Sequence, residues 1–132
     1  MSIDITAPDV RTAAVVATWG MKEAVARLIG DECASLADHM RHLDQLQRVV
    51  KADSALHRWC GLPAYDWSIR FSAEEAAGLT WAAEQALEVA EEQGRECARY
   101  PESYEADEAA AWRDLAANAR RVLAALGSEV PS

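Results

Sequence analysis

The sequence predicts an all-α protein: a four-helix bundle-like single domain over residues 1–132, with a C-terminal antiparallel helical hairpin. Three observations predict it. Alanine occurs 28 times, and alanine is the best helix former because ordering it costs no side-chain entropy. Apolar residues recur at intervals of three and four, the repeat of one helix face. Capping signals and prolines divide these stretches into four helices, and no segment reads as a strand.

The first helix is expected at about 8–29. Thr6 offers a cap, Pro8 sits in the first turn where its missing N–H costs nothing, and Asp9 completes a capping-box pattern. Helical spacing then runs through Val10, Ala14 and Ala17 to Trp19. Gly20 is expected to weaken this helix, and Gly30-Asp31 to break or bend it, since Gly suits a helix end and Asp a new N-cap. A helix unbroken from 9 to 60 would be about 75 Å long, twice the ~35 Å of each later arm. A break near Gly20 or Gly30 restores matched lengths.

The second helix is expected at about 31–60. It carries a seven-residue repeat that begins in the helix before it. Ile29, Leu36, Leu43 and Val50 form one column, and Ala26, Cys33, Met40 and Gln47 the other. Both columns fall on one face. That face reads as an internal seam of the bundle, or else as a coiled-coil surface for a homodimer.

The connector, 61–72, holds Pro63, Tyr65, Trp67 and Phe71. Its aromatic content predicts that it packs over the bundle end. Ser72-Ala-Glu-Glu75 is a capping box preceded by Phe71, and it opens the third helix at about 73–99. The expected inner face there is Leu79, Ala83, Ala86 or Leu87, Ala90 and Cys97, with Trp81 and Val89 off the stripe. Pro101 stops this helix, because the residue before proline is pushed out of helical space. Ser103 is expected to cap the fourth helix, about 104–126, whose stripe is Trp112, Leu115, Ala119, Val122 and Leu126. Gly127 suits the position after its end, with Arg120 and Arg121 near the negative pole of the dipole. Residues 127–132 are a tail.

The charge is uneven. The chain has 13 Lys+Arg and 22 Asp+Glu, for a net −9. Residues 1–60 carry eight acids and seven bases, and 61–132 fourteen acids and six bases. Such a balance argues against nucleic acid or an anionic membrane as a direct ligand, since either needs a positive footprint. No apolar run approaches the ~18 residues of a membrane span. The acidic start lacks the form of a signal peptide. Three widely spaced cysteines, Cys33, Cys60 and Cys97, suggest reduced thiols. The expected setting is the cytoplasm (the host cytoplasm, if the chain is phage-encoded).

Two constellations have ligand-like spacing: His39 with His42, and His57 with Cys60. A di-metal bundle would need Glu-x-x-His pairs on two helices, and a structural zinc site needs further short-spaced ligands. The sequence supplies neither, so no metal or cofactor is expected, and boundary histidines with small apolar thiols are the better reading. Cys60 lies near a helix C-terminus, where the dipole disfavours a thiolate. No phosphate-binding glycine loop, nucleophile elbow or His-Glu-x-x-His stands in the chain.

The expectation is therefore a non-enzymatic protein that binds another protein. Its acidic surface would meet a basic one, as a phage or mobile-element inhibitor does when it occupies a nucleic-acid groove by charge mimicry. The residues expected to carry this are Glu84, Glu88, Glu91, Glu92, Glu96, Glu105 and Glu108. Trp67 and Trp81 join them as aromatic anchors, because tryptophan is enriched in binding hot spots. The alternatives are a self-assembling bundle, and a metal-binding or enzymatic bundle using His39, His42, His57 and Cys60.

Overall fold

The computed structural model describes residues 3–30, 35–57 and 68–127. Strand β1, Ile3–Thr6, leads into helix α1, Ala7–Gly30, and helix α2 is Leu36–His57. Strand β2, Ser68–Phe71, precedes helix α3, Ala73–Arg99. A single 3-10 turn, Pro101–Ser103, joins it to helix α4, Ala106–Ala125. The four helices pack as an all-α bundle, and α3 touches each of the other three.

Cross-helix pairs fix the directions. Thr18 Oγ1 donates to Asp53 Oδ1 at 3.3 Å, and Gly20 faces Val49, so α1 and α2 run antiparallel. Lys51 Nζ reaches Glu74 Oε1 at 2.9 Å, and Gly78 faces Arg48, so α2 and α3 do too. The tight turn at 100–105 reverses α4 against α3, as its length requires.

The core is built from small residues. Ala13, Ala17, Ala52, Ala82, Ala83, Ala86 and Ala119 are fully buried among Val16, Val49, Leu56, Leu79 and Phe71. Small side chains let helix axes come close, and glycine lets them come closer. A Cβ on Gly20 would lie 2.4 Å from Cβ of Ala82, and one on Gly78 would lie 2.4 Å from the carbonyl oxygen of Arg48. Gly20 therefore sits inside an uninterrupted helix where α1 crosses α3. It is a contact, not the weak point expected of it.

Several expectations hold in detail. α1 ends at Gly30. Ser72 Oγ accepts the Glu75 N–H at 3.1 Å, while Glu75 Oε1 accepts the Ser72 N–H at 2.8 Å, completing the capping box. Leu79, Ala83, Ala86, Leu87, Ala90 and Cys97 all lie inward. Ala119 and Val122 of α4 and Leu126 just after it are buried, with Trp112 and Leu115 packed against the core. Gly127 takes φ +76°, the left-handed conformation that ends a helix cheaply only at glycine. Arg120 and Arg121, expected to serve the α4 dipole, instead pair across helices, with Glu91 at 3.0 Å and Asp9 at 2.5 Å.

Other expectations fail. The chain does contain strands. β1 and β2 pair antiparallel, with Ile3 opposite Phe71 and Thr6 opposite Ser68. Each four-residue segment alternates apolar and polar residues, Ile-Asp-Ile-Thr and Ser-Ile-Arg-Phe, which is the period of a strand. The ribbon replaces the last part of the expected connector. The fourth helix begins at Ala106, with Glu105 and not Ser103 at its N-cap position, because Ser103 is used in the 3-10 turn. The seven-residue repeat, expected as an internal seam, points outward. Ile29 is 80% exposed, Leu36 75%, Met40 54% and Val50 40%. The inward side of α2 is instead Val49, Ala52 and Leu56.

Candidate functional site

Three regions draw in the residues that the sequence singles out. The first is the outer side of α3 and its continuation into α4. Glu84, Glu88 and Glu92 are exposed, and with the half-buried Glu96 they repeat at i,i+4 along one edge of α3. Glu91 is set apart, because Arg120 neutralises it. Glu105 and Glu108 are exposed at the start of α4, where the helix dipole also favours acids.

Pairing separates the two halves of the molecule. On α1 and α2, Glu23, Asp38 and Asp44 pair with Arg27, Arg41 and Arg48, Asp53 meets His57, and Asp9 meets Arg121. Among the described residues, Glu84, Glu88, Glu92, Glu96, Glu102, Glu105, Asp107, Glu108 and Asp114 form no ion pair. Arg95, Arg99 and Arg113 stand on the same two helices and form none either. Like charges at i,i+4 destabilise a helix by a few tenths of a kcal/mol each, roughly the amount an opposite pair contributes. The glutamate edge of α3 therefore costs stability that the fold does not recover locally.

At the α3–α4 bend, Cys97 is buried and Tyr104 half-buried. Burial pushes the Cys97 thiol above its ordinary range, and the nearby carboxylates of Glu108 and Glu96 push it further. Burial likewise raises Tyr104, helped by Glu96, Cys97 and Glu108. Cys97 is thus a packed thiol held in its neutral form, the opposite of an activated nucleophile.

The second region is a cleft of about 210 Å3 between three helices. Ala24 and Arg27 of α1, Arg41, His42 and Gln45 of α2, and Trp81 of α3 line it. The Arg27 guanidinium lies 5.4 Å from the centre of the Trp81 ring, a cation–π distance. Arg27 Nη2 donates to Gln85 Oε1 at 2.6 Å and Nε to Glu23 Oε1 at 3.3 Å. Trp81, expected as an exposed anchor beside the glutamates, is half-buried and serves this cleft.

The third is the outer face of the α1–α2 hairpin. Large exposed apolar side chains are concentrated there: Val15, Val25 and Ile29 on α1, with Leu36, Met40 and Val50 on α2. The sequence repeat had marked most of them.

The histidines do not come together. His39 is exposed, His42 lines the cleft, and the His57 ring is held at its own helix end by the Asp53 carbonyl at 2.9 Å. Among the described residues no three His, Cys, Asp or Glu side chains converge as a metal set. Cys60 and Trp67 lie outside the described residues. Sequence reasoning missed Arg27, Arg41 and Gln45, whose places in the cleft depend on which helices pack together. No helix among the described residues is long and apolar enough to cross a membrane. Compared with protein families, with characterised proteins and with solved structures, the chain matches none.

Proposed function

We propose that the protein works by binding another protein, with the outer side of α3 and the start of α4 docking against a basic surface. The observation that carries this reading is the separation of charge. Among the described residues, Glu23, Asp38 and Asp44 on α1 and α2 are matched with arginines, while Glu84, Glu88, Glu92, Glu96, Glu105 and Glu108 form no ion pair. A cationic partner would relieve the repulsion along α3 and would be steered to it from a distance. A partner that otherwise grips nucleic acid has the right chemistry, and the charge-mimicking inhibitor is the form of the idea we favour.

The test is capture from a bacterial lysate by wild-type protein and by the E84Q/E88Q/E92Q/E96Q variant. We expect a partner held at low ionic strength, released near ~0.5 M salt, where screening is nearly complete at contact range, and not held by the variant. Capture that ignores salt, capture unchanged in the variant, or no partner at all would sink the reading.

Self-assembly is the second reading, and one observation favours it. The exposed Leu36, Met40 and Val50 keep the seven-residue register along α2 that a matching helix would interlock with, and the exposed Ile29 stands near the end of α1. Two copies meeting there would also keep their glutamate edges apart. Sedimentation of the wild type and of M40E decides it: a wild-type dimer that M40E dissociates supports it, and a wild-type monomer near ~1 mM removes it.

A further inference from the structure

We propose that the cleft between α1, α2 and α3 is a binding site for a small aromatic carboxylate, a ligand of one planar ring and one acid group. The inference is independent of the docking reading above and uses none of its residues. In a chain of net charge −9, the described side chains that line this cleft include no carboxylate. They are two guanidiniums, an imidazole, an amide, an indole and a methyl group. Anions are recognised by that donor set, and guanidinium in particular presents a planar fork that matches a carboxylate.

The geometry gives each group a part. Arg27 is held at Nε by Glu23 and at Nη2 by Gln85, so two of its five N–H groups are engaged. Nη1 is left for a ligand oxygen, and the stacking of Arg27 on Trp81 fixes its plane. Arg41, tied to Asp38 on the same helix, lines the cleft from α2. Glu23 and Asp38 already balance the two guanidinium charges, so the site suits one weakly held monoanion and not a phosphate. Trp81 supplies an apolar face for the ring. At about 210 Å3 the cleft falls below the ~300–1,000 Å3 of drug-sized sites, which limits the ligand to a single small ring.

Gln45 provides the separate sign that an acceptor belongs here. Its side chain lines the cleft, yet its Nε2 is cut off from solvent and has no acceptor among the described residues. A buried donor without a partner is a cost that native structures seldom leave standing. The last torsion of glutamine is soft. Turning it exchanges the two amide atoms: the NH2 group enters the cleft, where a ligand carboxylate would accept from it, and Oε1 takes the dry position, where an unpaired carbonyl is better tolerated than an unpaired N–H.

The probe is benzoate, with benzyl alcohol as its uncharged counterpart, followed by the NMR signals of the Trp81 indole N–H and the Gln45 side-chain amide. We expect both signals to move saturably with benzoate, and benzyl alcohol to bind about tenfold more weakly, the factor that one charge-assisted hydrogen bond represents. R27Q should weaken benzoate by a similar factor. Q45L should weaken it too while raising the Tm of the free protein, because it removes an unsatisfied donor at nearly constant volume. A residue with a purely structural role would not move those two quantities in opposite directions. Absence of saturable shifts up to ~20 mM benzoate, far above the ~1 mM affinity of even a weak site, would overturn the assignment. So would equal shifts with benzyl alcohol, or a Q45L variant that binds benzoate as the wild type does.

Discussion

Gly78 and Gly94 stand on the same helix and predict opposite outcomes for the same substitution. Alanine favours a helix interior over glycine by roughly 0.5–1 kcal/mol. At Gly94 nothing lies within 4 Å of the added Cβ, so G94A should stabilise by about that amount. At Gly78 the Cβ would meet the Arg48 carbonyl at 2.4 Å, and backbone cannot step aside as a flexible side chain can. G78A should destabilise by about 1–3 kcal/mol, the range of an overpacked core. Urea titration of both variants checks the pair. The sequence hides this difference, as it hid the role of Gly20, because a helical glycine shows its own element and not the neighbour across from it. Cys97 and Tyr104 make a second residue-scale prediction. Both are neutral when protonated, and both are raised in the folded chain. By linkage their share of the stability is intact below the ordinary thiol range and is lost as pH climbs through the raised folded values. Guanidinium unfolding at a series of alkaline pH values should show that loss, and C97A should make it shallower.

Individual elements were legible in the sequence wherever the signal is local. The Ser72 capping box, the stop before Pro101, the glycine after α4 and the inner stripes of α3 and α4 all read through, because cap and period act within a few residues. S72A should therefore cost about 1 kcal/mol in chemical denaturation, the usual worth of such a cap, with no change in the slope of the transition. The β1–β2 ribbon did not read through. Four residues of alternation are too few to stand against a helical background, and their pairing joins segments far apart in the chain. The seven-residue repeat was seen, but its direction was mistaken. α2 is apolar on two sides, and the sequence does not rank the leucine and methionine column above Val49, Ala52 and Leu56. Packing ranks them, because Gly20 and Gly78 let the neighbouring helices close onto Val49 and the backbone beside it, which turns that side of α2 inward.

At the scale of the whole molecule the charge asymmetry was read correctly from composition, while its pairing was not, since that depends on which helices are neighbours. Self-repulsion among the unpaired carboxylates of α3 and α4 predicts that added salt stabilises the protein. Calorimetry should show Tm rising by roughly 2–5 °C between low salt and ~0.5 M sodium chloride, and by less in the E84Q/E88Q/E92Q/E96Q variant. The cleft was beyond sequence reasoning, because each of its three walls comes from a different helix. The ribbon also sets the order of events during folding. Contacts within the α3–α4 pair close over a short bend, whereas β1 finds β2 only after a long intervening stretch has been gathered in, and closing a loop of that size is entropically slow. The C-terminal pair should nucleate first and the two short strands should clasp last. Kinetic dissection would then give substitutions along α4 a large effect on the refolding rate, and substitutions at Phe71 an effect chiefly on the rate of opening.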